Sequence, residues 1–335
     1  MTKTALKNKK TLLKNTMVKH KMKKKKGMSE MDRKKKHQGL WKRIYRCRQL
    51  YLLVIPGMIT VFIFHYIPIC GLQMAFRNFK ASKGIWGSDW VGLKYFIQFI
   101  NYPYFEKIMI NTIRISLYSL MTFPAPIIFS IMLNELRSNK VRRVSQMITY
   151  APHFVSTVVV CSMTILFLEK DGVINLIAQF FGREPENLIA NPAAFAPVYA
   201  ITDLWSGLGW GTIIYLATLA GVSMELIEAA KIDGAGRMQI IWHVQLPHLK
   251  PTIVTLFILR MGSLISVGFE KVFLLQNSLN KETSSVISTY VYEVGIENHQ
   301  YSYSSAIGLF NNLINIVLIV IANFVSKRVA VVILW

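Results

Sequence analysis

Three asparagines, Asn311, Asn312 and Asn315, sit in a stretch that carries no charged residue from 298 to 326. Positions 308, 311, 312 and 315 share one helical face, and Gly308 leaves room on it. An amide donates to and accepts from a sugar hydroxyl, so this face could line a path for a polyhydroxylated solute. The same amides could equally bond one helix to another. Trp205, Trp210 and Tyr215, in a second apolar stretch, could stack on sugar rings or mark a membrane interface. Arg260 stands alone in a third. An ionised group there faces the interior and pairs with an acid or with carbonyls; Glu270 is one candidate. His65 and His153 read as satisfied internal groups, and His243 and His248 lack a third metal partner. Cys47, Cys70 and Cys161 fit neither a zinc site nor a CxxC pair and read as free, buried thiols.

Catalysis has little to work with. The apolar stretches hold no carboxylate pair, no HExxH and no nucleophile beside a base. No GxxxxGK[ST] phosphate loop is present. Gly207, Gly209 and Gly211 read as sites of close helix packing, and Gly234 with Gly236 follow a helix instead of a strand. The chain is expected to bind no metal and no cofactor of its own.

These residues must be positioned by membrane helices. Of 335 residues, 53% are hydrophobic and 17% charged, with a mean hydropathy of +0.36. That is too apolar for an ordinary soluble enzyme, which carries about 25% charged residues. A bilayer core about 30 Å thick takes roughly 20 apolar helical residues. Residues 51–76, 115–133, 144–168 and 204–224 lack Asp, Glu, Lys and Arg, and 251–269 is interrupted only by Arg260. The expected fold is all-α, a polytopic membrane protein with six transmembrane helices at about 51–76, 112–133, 147–168, 198–220, 251–269 and 304–325. The first run is long and starts late, which suits an uncleaved span better than a signal peptide.

Charge sets the orientation. Residues 1–50 hold 19 of the 39 Lys and Arg and two acids, Glu30 and Asp32. Basic residues also follow the second, fourth and sixth spans, at Arg137 to Arg143, Lys231 to Lys250, and Lys327 with Arg328. Both termini are therefore expected in the cytoplasm of a multi-pass plasma-membrane protein. The loop 77–110 is less obedient, with five basic residues. The tail over 1–48, with KMKKKK and RKKK, reads as a disordered arm drawn to anionic membrane lipid at about 1 kcal/mol per basic residue. Nucleic-acid binding lacks its motif. A short tail over 329–335 closes the chain.

One long cytoplasmic loop, 222–251, separates the fourth and fifth spans. Ser223 can cap a helix, Glu225 sits in its first turn, and Gly234 supplies a stop. Such a helix could fit a groove on another protein or lie on the membrane.

The pattern Glu228-Ala229-Ala230, Asp233-Gly234-Ala235, Val244 and Leu246-Pro247 resembles the EAA loop of binding-protein-dependent ABC transporter permeases. From about residue 50 onward, segments such as GFEKVFLLQN at 268–277 and YSYSSAIGLFNNLIN at 301–315 resemble carbohydrate-uptake permeases of the polysaccharide and complex-oligosaccharide subgroup. The long basic tail and the apolar end Val329 to Trp335 depart from that pattern. The resemblance implies the permease fold of type I ABC importers and a transport subunit, not an enzyme. It implies a second permease in a heterodimer, two ATPase subunits that use ATP and Mg, and an extracellular solute-binding protein. In such permeases the EAA helix docks in a cleft of the ATPase. Glu228 would then make the polar contact, and Ala229 and Ala230 would allow close approach. Asp233 and Gly234 would shape the turn, and Leu246-Pro247 the return to the membrane. A membrane enzyme or a receptor not driven by ATP is the competing reading; neither gives a reason for the EAA spacing.

Overall fold

A computed structural model describes Tyr45 and residues 47–330. Nearly all of the basic tail over 1–48, and the end from 331 to 335, lie outside the described residues. Among the described residues the chain is all-α apart from one small hairpin, β1 (Arg77–Lys80) and β2 (Ser88–Trp90), paired antiparallel with Arg77 opposite Trp90.

The chain divides into two compact units at Gly71. In the first, α1 (Arg48–Val61) runs into a wide π-turn, Phe62–Tyr66. Ile67 N–H bonds five residues back, to the Phe62 carbonyl, immediately before Pro68. Proline has no N–H and its ring crowds the carbonyl four residues back, so a widened turn relieves the helix there. Cys47 and Cys70 are exposed, contrary to the expectation of buried thiols, because α1 and its continuation bury none of their residues; Cys161 is buried as expected.

The second unit contains α2 (Lys94–Ile100), α3 (Phe105–Met121), α4 (Pro124–Glu135), α5 (Asn139–Tyr150), α6 (Thr157–Leu168), α7 (Val173–Phe180), α8 (Phe195–Leu219), α9 (Met224–Ile232), α10 (Leu246–Met261), α11 (Phe269–Leu275), α12 (Ile287–Tyr292) and α13 (Tyr301–Ala330). Among the described residues, Arg48–Phe76, Phe105–Glu135 and Tyr301–Lys327 are long and apolar enough to cross a membrane, and five spans result if two bent pairs each count as one. Two expected spans are interrupted. The stretch 147–168 bends by 104° between α5 and α6. Pro152 lies in the break, and Ser156 restarts the helix by accepting a bond from Val159 N–H at 3.4 Å. The stretch 251–269 is helical only to Met261, then irregular until α11 begins at Phe269.

Helix α8 is the central strut, in contact with α3, α4, α5 and α10. Its glycines are not equivalent. A Cβ on Gly209 would collide with the Thr149 carbonyl of α5, and one on Gly211 would press on Pro126 of α4 at 3.2 Å. Gly207 has nothing within 4 Å. Two of the three thus serve close packing. Replacing Gly209 by Ala should lower the thermal midpoint of the purified protein by several degrees, because the obstacle is backbone. Gly207→Ala should leave it unchanged or raise it, helix-interior Gly costing about 1 kcal/mol relative to Ala. Parallel melting curves of the two variants check this.

Candidate functional site

A cavity of about 530 Å³ opens between α3, α4, α8 and α10, lined by residues including Ser119, Phe123, Asp203, Trp210, Tyr215 and Arg260. Among the described residues, Asp203 and Arg260 are its only charged lining residues. Arg260 Nη2 donates to Ser119 Oγ and lies 3.7 Å from Asp203 Oδ2. Asp203 Oδ1 takes a much closer bond, 2.6 Å, from Lys271 Nζ on α11. Lys271 is 13% exposed and Arg260 41%. A second cavity, about 290 Å³, shares Asp203 and Gly207 with the first and adds Lys271, Ser206 and His153. One carboxylate thus sits between two cations at the wall of two cavities. The acid expected for Arg260 is Asp203 rather than Glu270, which is exposed and makes no ion pair described for the protein. Asp203 escaped the sequence reading because it lies near the start of an apolar stretch. Its signal was being the only acid within 198–220.

Of the aromatics, Trp210 and Tyr215 line the larger cavity and Trp205 does not. Trp210 is half exposed and stacks on His153 with ring centroids 4.5 Å apart and planes at 10°. His153 is exposed, not the buried group expected, because it falls in the break between α5 and α6. Tyr215 is 3% exposed and packs with Ile127, Leu219, Val222 and Leu249.

The asparagine face exists, but its partner is backbone. Between α10 and α11 the chain leaves helical geometry; Ile265 and Val267 are buried there while Ser263, Ser266 and Gly268 are exposed, and several polar groups of the segment find partners on other helices. Ser116 Oγ donates to the Leu264 carbonyl at 2.7 Å. Asn315 Oδ1 accepts from Ile265 N–H at 3.2 Å, and Asn315 Nδ2 donates to Ser266 Oγ at 2.8 Å. Ser288 Oγ donates to the Val267 carbonyl at 3.0 Å, and Tyr199 accepts from Gly268 N–H at 3.2 Å. Asn311 adds a longer bond to Ser266 Oγ, 3.3 Å, and its buried Oδ1 has no partner. Asn312 is exposed. None of the three lines the cavity beside Arg260.

The loop 222–251 folds into α9 and a second helix. Glu228 and Ala229 are exposed on α9, Ala230 is half-buried, and Met224, Leu226 and Ile232 are at least 60% exposed. Glu225 lies in the first turn; Ser223 holds the N-cap position, but its side chain makes no capping bond. Helix α9 leaves α8 at 75°. It stops in a Schellman motif: Ala235 N–H bonds the Ala230 carbonyl at 2.9 Å, Gly234 N–H bonds the Lys231 carbonyl at 3.1 Å, and Gly234 has φ +80°. Asp233 is the residue just before that turn. The chain re-enters helix at Arg237, and a second π-turn, Ile241–Gln245, joins it to α10. There Leu246 N–H bonds the Ile241 carbonyl, five back, directly before Pro247. Leu246-Pro247 therefore lies within a continuing helix that widens at the proline.

Comparisons with known proteins bear on this arrangement. The family described as the binding-protein-dependent transport system inner membrane component matches residues 122–331. Protein LplB of Bacillus subtilis (strain 168) is 42% identical over 285 residues, 84% of this chain and 90% of that protein. From the same organism, the polygalacturonan/rhamnogalacturonan transport system permease protein YteP is 40% identical over 298 residues, covering 88% and 93%. A chain in the crystal structure of a bacterial ABC transporter involved in the import of the acidic polysaccharide alginate superposes with a TM-score of 0.79 at 35% identity, covering 87% of this chain and 99% of that one. The same values of TM-score and identity hold for the alginate transporter in complex with its alginate pentasaccharide-bound periplasmic protein.

Two pairs of substitutions probe this geometry. Asn315→Leu strips the Ile265 N–H and Ser266 of their partner and should cost about 1–3 kcal/mol, whereas Asn312→Leu should be neutral in the same thermal assay. Gly234→Ala should cost about 1 kcal/mol or more at its positive φ, while Gly236→Ala, at φ −73°, should not.

Proposed function

The chain belongs to the family of binding-protein-dependent transport system inner membrane components, and we propose that it is the permease subunit of an ATP-driven importer of oligosaccharides or polysaccharide fragments. The observation that carries the coupling part of this reading is α9. It is an exposed helix with apolar knobs around two acids, Glu225 and Glu228, set at a steep angle to a long strut and closed by a glycine stop. Apolar side chains beside a charged group are what a protein cleft binds.

In this reading Glu228, Ala229 and Ala230 enter a cleft of a separate ATPase subunit, which uses ATP and Mg. Asp233 and Gly234 end the docked helix, and Leu246-Pro247 begins the return. Ile227 of α9 packs against the cluster that Leu219 and Val222, at the foot of α8, form with Leu249 of α10. Movement of α9 is thereby passed to the two helices that carry Asp203 and Arg260. Asp203 stands about 24 Å up α8 from Leu219, at 1.5 Å per residue. Closing of the ATPase pair would move α8 and α10 against each other and change access to the cavity between them, the alternating-access step. Solute would pass Trp210 and Tyr215, while Asn311 and Asn315 hold the irregular segment beside the path. The complete transporter would hold this chain, a second permease, two ATPase subunits and an extracellular solute-binding protein. The chain would cross the plasma membrane repeatedly with both termini in the cytoplasm.

Mild-detergent purification of the tagged chain from its native membrane tests the reading. Wild type should bring an ATPase and a second multi-span permease, and Glu228→Lys should reduce ATPase recovery at least tenfold while keeping the permease partner. Equal recovery of ATPase with the variant overturns the role of Glu228. Absence of any ATPase after crosslinking overturns the importer reading.

A further inference from the structure

The cavity between α8 and α10 is unequal in what it offers a solute. Its neutral hydroxyls are largely committed. Ser119 Oγ accepts from Arg260, Thr122 Oγ1 donates to the Ser119 carbonyl at 2.8 Å, and Ser263 Oγ donates to the Arg260 carbonyl at 3.3 Å. Much of the rest of the lining is apolar, including Leu204, Ile213, Ile214 and Leu256. The charges do not cancel. Asp203 is held from behind by Lys271 at 2.6 Å, and Lys271, 13% exposed, lines the smaller cavity and not this one. Arg260 lies farther from Asp203, at 3.7 Å, and is three times more exposed. The tight pair is therefore Asp203 with Lys271, and Arg260 is the spare cation facing the cavity.

A guanidinium has five N–H donors and no acceptor. Of the side-chain contacts described for Arg260, all come from Nη2. A group that only accepts, carries negative charge and spans two N–H bonds is its complement. A hydroxyl, which brings its own donor, is not. We propose that this cavity takes saccharides bearing carboxylates, and that Arg260 reads the carboxylate. The proposal rests on the importer reading and narrows its substrate class. Asp203 sets the strength of the site by competing for the same guanidinium. The exposed ring of Trp210 supplies an apolar face for the C–H side of a sugar ring.

The assembled transporter in proteoliposomes, with its ATPase and binding protein, is the test system. The probes are tetragalacturonate and its fully methyl-esterified form. Because the binding protein is unchanged between variants, a change in the ratio of their ATP-dependent uptake belongs to the permease. Arg260→Gln should lower that ratio about tenfold to a hundredfold, Arg260→Lys should restore part of it, and Asp203→Asn should raise it. Opposite signs for the Arg260 and Asp203 variants separate recognition from mere structural support, which would depress uptake of both probes alike. As a second measurement independent of uptake, a Ser263→Cys reporter in the cavity of the assembled complex should be labelled more slowly in the presence of tetragalacturonate than of its ester. Equal protection by the two probes, or an unchanged ratio in Arg260→Gln, overturns the proposal and leaves the importer reading standing. Loss of the importer reading itself would show as absence of ATP-driven uptake of any saccharide that the binding protein holds.

Discussion

Everything near the cavity depends on seven residues of irregular backbone, Gly262 to Gly268, anchored in the protein by the buried side chains of Ile265 and Val267. Such a segment is tolerated only when each polar group finds a partner within the protein. The partners come from four helices: Ser116 from α3, Tyr199 from α8, Ser288 from α12 and Asn315 from α13. That ring of bonds ties the segment to its surroundings without regular secondary structure. It also lets Arg260, at the end of α10, and Lys271, in the first turns of α11, approach one carboxylate from two sides. An unbroken helix would place residues 260 and 271 about 16 Å apart along its axis, too far for a shared acid.

How much of this could be read from the chain differs by feature. The helix in the loop 222–251 and its glycine stop were legible because their constraints are local: a run of helix formers, then a glycine where φ must be positive. Long charge-free runs marked α3 with α4, α8 and α13 for the same reason. The break after Met261 was not legible. GSLISVG is as apolar as a helix interior, and hydropathy is blind to backbone satisfied by remote side chains. The asparagine spacing placed Asn311 and Asn315 on one face correctly, but periodicity says which residues share a face and not what the face meets. The bend at Pro152 was likewise hidden, since the residues around it are apolar on both sides.

The buried polar face of α3 carries a related lesson. Asn111, Thr112, Ser116 and Ser119 are all buried, and each bonds outward to another element or back to its own helix or is bonded in turn. In a water-soluble helix these residues would mark the wet side. Here lipid is the outer solvent, so apolar side chains such as Ile110, Ile113 and Leu117 are exposed and small polar ones turn inward. Reading such a helix by the soluble rule inverts its faces.

The wide turn before Pro247 has an effect far from the loop in which it sits. A π-turn holds one residue more than an α-turn, so every side chain beyond it is rotated by about 100° relative to an unbroken helix. Arg260 lies beyond that turn on the same continuous helix. The azimuth at which the arginine leaves its helix, and hence whether it points toward Asp203 or toward lipid, is therefore set by phase accumulated thirteen residues earlier, at the proline that closes the EAA pattern. A change of one residue in that turn would re-aim the cavity's cation without touching the cavity.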